Sequence, residues 1–400
     1  MTRRVLVFST LLPLPVDRGD RNRLFHVLQL LATMAEVRLV TVVRGWEPRV
    51  VDMSPLGGID VRGIDVSARE VMAYGAWSAA TGRPYLITRY ALPRVRAFVA
   101  RQLAEFRPDA FWGFQAPAFP FLELATAQRR VIDLVDSPSR YASMLRESPN
   151  VPWLARATSA AQWRLRAFEA RGVRRCHTVL VNSWLDLEHV RGLGADPGAI
   201  AVLDNCVPQS LLDHPWQPDP SRPPTLLFVG NLAYAPNAVA VRRLVTEILP
   251  RVRERVPAAQ LTVCGARGED LARELGQHPG VHFLGFVDDL LPLYRGASVM
   301  VVPVPVAGGT QYKLLESLAV GLPSVTSRVS AEVTGLKDVE EALVADSPDE
   351  FAAAVLRVLG DDECARGLSA AGRRFISRSH LWESKRGIVA GAIGGAADRP

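Results

Sequence analysis

Cysteine is scarce in this chain of 400 residues: Cys176, Cys206, Cys264 and Cys364 are scattered, and no C-x-x-C occurs. That excludes the usual zinc and redox spacings and fits a reduced, cytoplasmic setting. Histidine offers no metal pattern either. His177, His189, His214, His278, His282 and His380 lack ligand spacing, and His26 sits beside Leu24 and Phe25 on a predicted helix, where a structural role suits it. The sequence has no G-x-G-x-x-G, no Walker A and no G-x-S-x-G, which argues against a dinucleotide oxidoreductase, a P-loop enzyme and a nucleophile-elbow hydrolase. No apolar run reaches the length of a membrane span. The apolar start, Met1 to Val16, is broken by Pro13 and Pro15 and lacks a small-residue cleavage site, so it reads as a buried first strand. Lysine occurs only at 313, 337 and 385, so the cations are almost all arginine.

What is present is a globular composition, 48% hydrophobic and 22% charged, long enough for two domains. The net charge of +6 is uneven: residues 1–215 hold 27 arginines against 20 acidic residues, while the remainder has 20 cations against 21. A basic first half suits an anionic acceptor or the surface of a membrane, and equally a charge-mixed solvated surface. No nucleic-acid partner is expected.

Strand and helix patterns alternate, which predicts a parallel sheet with helices on both faces. Strands are expected at 5–10, 37–43, 60–66, 110–114, 131–135, 178–181 and 200–203, with helices at 19–34, 93–106, 151–175 and 184–193. The Pro-rich stretch 213–224 reads as a linker. The alternation then restarts, with strands at 225–229, 260–264, 281–284, 298–304 and 324–327 and helices at 238–256, 270–275, 290–294, 310–320, 348–359 and 363–375. The expected layout is an N-terminal domain 1–212, a linker, a second domain 225–379, and a segment 380–400 returning to the first. Ligands of such doubly wound sheets bind at the carboxyl ends of the strands.

The densest motif is Ala307-Gly308-Gly309-Thr310-Gln311-Tyr312-Lys313-Leu314-Leu315-Glu316, read as a strand, a Gly-Gly turn and a helix capped by Thr310. A helix start offers free N–H groups to a phosphate. Lys313 and Glu316, three apart, share a face, so that a cation meets phosphate while a carboxylate accepts from sugar or ribose hydroxyls. An ordinary capped helix has the same spacing. Gly230-Asn231, Cys264-Gly265 and Gly285-Phe286-Val287 end three other strands. In the first half, Gly19 opens a helix carrying Arg21 and Arg23. Asp133 and Asp136 bracket a strand end, where Asp136 either positions an acceptor hydroxyl or caps a turn. The basic stretch 153–175 fits a membrane-lying helix, and its apolar stripe also fits a surface helix packed on the core.

These residues resemble a retaining glycosyltransferase of the GT-B fold, family 4 (glycosyl transferases group 1). The motifs are Phe228 to Asn237, Gly308 to Ala319, Gly321-Leu322-Pro323, the Pro13-x-Pro15-x3-Gly19 loop and Asp133-x2-Asp136. The resemblance implies two Rossmann-like domains, an α/β architecture facing a cleft. It also implies a nucleotide-diphosphate sugar as donor, a small-molecule, glycan or lipid-linked acceptor, and no cofactor and no metal. Cysteine usage suggests a cytoplasmic place, and the basic first half leaves peripheral contact at the inner membrane face open. Glu316 would hold the ribose. Gly308, Gly309, Thr310, Lys313 and Leu314 would line sugar and diphosphate, joined by Gly230, Asn231 and Gly265, with Gly19 from the first domain and Phe286 and Val287 near the base. Arg23, Gln115 and Asp136 would serve the acceptor, and Asp136, Lys313 and Glu316 the chemistry. Two departures stand out. The family often has a Glu where this chain has Gly308, and an Arg and a Lys where it has Asn231 and its neighbours. A non-catalytic scaffold of the same fold and a sugar-nucleotide epimerase are the alternatives.

Overall fold

The computed structural model describes residues 2–16, 18–45, 52–126, 128–147, 162–217 and 221–394. The chain forms two compact units. The first comprises Met1–Met144, Arg156–Asp204 and Lys385–Pro400, the second Leu145–Ala155 and Asn205–Ser384.

The first unit is a seven-stranded sheet ordered β3-β2-β1-β4-β5-β6-β7, every neighbouring pair parallel. Its strands are β1 Arg3–Ser9, β2 Ala35–Arg44, β3 Asp60–Val66, β4 Ala110–Phe114, β5 Arg129–Asp133, β6 Thr178–Val181 and β7 Ile200–Val202. The central strands are apolar without alternation, as Val5, Leu6, Val7 and Phe8 illustrate, because helices cover both faces. The second unit has six parallel strands in the order β10-β9-β8-β11-β12-β13. They are β8 Thr225–Val229, β9 Gln260–Cys264, β10 Val281–Gly285, β11 Val299–Val302, β12 Ser324–Thr326 and β13 Leu343–Val344. This order is the doubly wound arrangement, whose crossovers put helices on alternate faces.

Several expectations are corrected. The stretch 213–224 lies inside the second unit, because the chain passes between units at Asp204–Asn205. Trp216 explains this: its backbone N–H reaches Val320 O at 2.7 Å, its indole N–H reaches Ala297 O at 2.7 Å, and its ring packs on the core. The terminal return to the first unit starts at Lys385, whose ammonium pairs with Asp204 at 2.6 Å. The Arg386–Ala392 helix follows, and residues 395–400 lie outside the described residues. Of the basic stretch 153–175, residues 153–161 are outside the described residues. Its described part, the helix Gln162–Val173, buries Leu165 and Ala170 in the core, as the surface-helix reading expects. Among the described residues, the helices Ala68–Ala80, Tyr85–Thr88, Pro138–Glu147 and Arg328–Thr334 had no sequence signal strong enough to register.

Arg23 does not present itself to a ligand as expected. It is fully buried and forks onto Asp133, with Nη2 to Oδ1 at 2.8 Å and Nε to both oxygens at 3.0 and 3.1 Å. The pair ties the helix Gly19–Ala32 to the end of β5. Removing one member leaves the other charged in an apolar interior. We expect Asp133→Ala to destabilise the first unit by about 3–5 kcal/mol, and the double variant Arg23→Met, Asp133→Leu to recover most of that loss. Urea unfolding read by tryptophan fluorescence checks both.

Candidate functional site

In a parallel sheet all carboxyl ends fall on one edge. In the second unit that edge gathers Gly230 after β8, Gly265 after β9, Gly285 closing β10 and the Gly308-Gly309 turn beyond β11. The first three are laced together: Gly230 N–H donates to Cys264 O at 2.9 Å and Gly265 N–H to Gly285 O at 2.8 Å. A Cβ on Gly265 would stand 1.8 Å from Gly230 O, at a φ of +154°. Only glycine permits that backbone contact.

The helix Tyr312–Val320 starts later than expected. Gln311 is its N-cap without a side-chain bond, so Thr310 is not the cap. Thr310 is buried, and its carbonyl accepts from Asn205 Nδ2 at 2.7 Å. Leu314, Leu315 and Leu318 anchor the inner face of the helix in a core cluster. Leu314 is therefore a core residue rather than a lining one, and its N–H goes to Gln311 O. The outer face keeps Lys313 and Glu316 half-buried.

Lys313 reaches back to the end of β8. Its Nζ donates to Asn237 Oδ1 at 2.7 Å and lies 4.6 Å from the centre of the Phe228 ring. A Cβ on Gly230 would come within 3.1 Å of it. Among the described residues it has no carboxylate partner. Lys313 is half-buried, and the surrounding protein strips water from its ammonium; this desolvation lowers its pKa to about 7. Asn237 is held in turn, its Nδ2 donating to Asn231 O at 2.9 Å, while Asn231 Oδ1 accepts from Ala233 N–H.

Glu316 takes a hydrogen bond from the Tyr294 hydroxyl at 2.8 Å. Tyr294, 2% exposed on the helix Leu291–Gly296, is a site residue that sequence reasoning missed, since an isolated Tyr in an apolar stretch carries no signal. Burial lifts the Glu316 pKa to about 7, against the pull of the Tyr294 bond. At the outer strand, Phe286 is 53% exposed at the end of β10, beside exposed Leu284. Val287, next to Phe286, is half-buried, and the Cys264 thiol donates to Gly285 O at 3.5 Å.

In the first unit, Gly19 is exposed at the start of the helix Gly19–Ala32. The ends of β4 and β5 carry two residues in the left-handed region, Gln115 (φ 62°) and Val135 (φ 61°). Gln115 N–H is held by Asp133 O at 2.7 Å. A β-branched residue in that conformation stores about 1–3 kcal/mol of strain. Val135 leads into Asp136, which is exposed yet closely surrounded. Desolvation and the Asp186 carboxylate raise its pKa to about 6, opposed by Arg23, Arg140 and a bond from Asn182. Arg23 thus acts on Asp136 electrostatically from the core. Behind Asp136, buried Asp186 accepts from Ser183 Oγ at 2.7 Å and from Arg140 at 3.3 Å, and the Ser139 hydroxyl meets His189 Nε2 at 2.8 Å.

The two shifted groups of the second unit give stability a pH signature. The folded Glu316 binds a proton that the unfolded chain has released between about pH 4.5 and 7, so its contribution falls as pH rises there. The unfolded Lys313 binds a proton that the folded form has released between about pH 7 and 10.5, so its contribution rises with pH there. Lys313→Met should remove about 1–2 kcal/mol of the stability gained between pH 7 and 9. Urea midpoints of both proteins at the two pH values check this; parallel pH responses would refute it.

Comparison with known proteins follows this geometry. Residues 223–361 match the family model described as Glycosyl transferases group 1. A GDP-mannose-dependent alpha-(1-6)-phosphatidylinositol monomannoside mannosyltransferase of Mycobacterium tuberculosis is 28% identical over 192 residues, 42% of this chain and 50% of that protein. The chain thus spans about half the length of the curated relatives it matches. Sucrose-phosphate synthase from Thermosynechococcus elongatus superposes with a TM-score of 0.71 at 17% identity, over 96% of both chains. Anabaena HepE, solved with UDP and glucose, gives 0.67 at 12%, over 98% of this chain and 99% of that one. Residues 223–361 are thus similar to the glycosyl transferases group 1, and by both of its sheets the chain has the GT-B fold, two Rossmann-like domains.

Proposed function

We propose that this protein is a glycosyltransferase using a nucleotide-diphosphate sugar. The observation that carries the reading is Lys313: an ammonium over Gly230, held by a neutral amide and left without a carboxylate among the described residues. A cation kept free of anions and partly stripped of water suits an incoming diphosphate, whose charge would restore its proton. The missing Arg and Lys after β8 are then replaced from another element. Glu316, with one oxygen on Tyr294, has the other for ribose hydroxyls, and the exposed Phe286 ring suits a base. The matched family model and the nucleotide-sugar relatives support the same reading.

In the reaction we envisage, the bond from the sugar's anomeric carbon to the donor phosphate breaks as the acceptor oxygen bonds to that carbon. The acceptor's proton passes to the departing diphosphate, and configuration is retained. Lys313 and the amides at the Gly308-Gly309 turn stabilise the leaving charge, with no metal. Asp136 is assigned to the acceptor hydroxyl. The route belongs to polysaccharide, glycolipid or natural-product synthesis. A second reading, a nucleotide-sugar binder without turnover, is favoured by one feature, Gly308 in place of the family's first Glu.

Calorimetric titration with UDP-, GDP- and dTDP-sugars is the test. We expect one nucleotide class to bind, Glu316→Ala to weaken it about 10- to 100-fold, the loss of a charged hydrogen bond, and Lys313→Ala to slow transfer more than it weakens binding. Binding without transfer to any acceptor favours the second reading. Absence of binding, or unchanged affinity in Glu316→Ala, rejects the site.

A further inference from the structure

The helix Ala68–Ala80 is turned inside out relative to an ordinary surface helix. Its inner face is Val71, Gly75 and Ser78, buried in the first unit. Its outer face, at spacings of three and four, is Arg69, Met72, Ala73, Ala76, Trp77 and Ala80, all exposed. No charged residue occurs from Val71 to Gly82. Met72 is 60% exposed and Trp77 48%. The short helix Tyr85–Thr88 extends this surface with Leu86, 58% exposed, and Tyr85.

The two pieces form one rigid platform. Ser67 and Glu70 close a capping box on the first helix. Tyr85 lies against Gly75, where any Cβ would collide with the ring at 2.1 Å, and the Ser78 and Thr88 hydroxyls are bonded. Apolar exposure here is therefore built in, not the product of fraying.

The unpaired charge around the platform is of one sign among the described residues. Arg83 lies 5.2 Å over the Trp77 ring and Arg89 5.6 Å over Tyr85. Neither of these, nor Arg69, has an ion-pair partner among the described residues, whereas the nearby Glu70 is already matched by Arg94 at 2.8 Å. Unpaired guanidinium groups resting on exposed aromatic rings, beside an uncharged helix face, combine an apolar contact with a demand for anions.

We propose that this platform is a docking surface for an anionic lipid bilayer, with Met72, Trp77 and Leu86 entering the headgroup boundary and Arg69, Arg83 and Arg89 meeting lipid phosphates. A helix of 13 residues lying flat, with aromatic and basic residues at its margin, has the form of an interfacial anchor. The face is Ala-rich, with exposed Ala73, Ala76 and Ala80 around Met72 and Trp77 and unpaired guanidinium groups beside it. This favours a lipid surface over a protein partner.

Co-sedimentation of the full chain with phosphatidylglycerol and with phosphatidylcholine vesicles tests it. Binding is expected to the anionic vesicles, at least tenfold weaker to the neutral ones, and lost near 1 M salt, where screening shrinks to about 3 Å. The double variants Trp77→Ser, Leu86→Ser and Arg83→Gln, Arg89→Gln should each lose at least tenfold in vesicle affinity, with circular dichroism unchanged. The proposal is overturned if the wild-type chain ignores phosphatidylglycerol vesicles, or if the apolar variant binds them as well as the wild type. A dimer seen by light scattering that the apolar variant dissolves, without vesicle binding, would assign the face to a second copy and overturn it equally.

Discussion

Every strand pair in both sheets is parallel, and that constraint organises the rest. Parallel neighbours cannot be joined by tight turns, so each connection crosses over, in most cases as a helix, and returns at the same end of its sheet. All carboxyl ends therefore share one edge, and residues far apart in sequence become neighbours there. Gly230, Gly265 and Gly285, from three successive strands, touch through their backbones for this reason. Lys313 meets Asn237 across 76 positions by the same geometry. The edge also leaves helix starts and strand ends partly unpaired, which a polar ligand can satisfy.

The two ionisable groups on the helix Tyr312–Val320 are pushed toward neutrality from opposite sides. Lys313 and Glu316 are one helical turn apart, yet they do not pair with each other. One goes to an amide and an aromatic ring, the other to a phenol. Had they formed an ion pair, each would hold its charge and neither would be open to a ligand. Separation costs stability in the empty protein, because both groups sit where their charged forms are disfavoured. Such a cost is common where a fold keeps polar groups ready for a ligand.

Much of this was legible in the sequence. Strands 110–114, 178–181, 225–229 and 260–264 were readable to the residue because buried parallel strands are short, mainly apolar runs with clear punctuation, and the edge strand 60–66 was read to the residue despite its charged positions. The Gly308 to Glu316 turn stood out because glycine pairs before a helix are rare and have a mechanism. What stayed hidden depends on long-range contact. Tyr294 becomes meaningful only when its helix is laid beside the helix Tyr312–Val320. Arg23 read as a loop cation because sequence does not show that Asp133 waits for it in the interior. Leu314 read as lining because the backbone turn there is suggestive, while its side chain belongs to the core. The helix Ala68–Ala80 failed to register for another reason. Its exposed face is apolar, so the contrast between faces on which periodicity depends is missing.

Gly308 can be weighed against this background. A carboxylate there would add a second negative charge to an edge where the Lys313 ammonium is already partly dehydrated. It would tend to draw Lys313 into an ion pair and away from Asn237. With glycine, the turn contributes backbone alone, and Lys313 keeps a neutral partner. The loss of a side chain at 308 and the arrival of Lys313 at the end of β8 are then two parts of one electrostatic arrangement, with positive charge on the helix Tyr312–Val320 and none on the loop after β8. On this argument the missing Glu and the missing Arg and Lys are not separate defects. The loss of one anion and two cations, with one cation supplied by Lys313, leaves the formal charge of the edge unchanged while changing which element holds it.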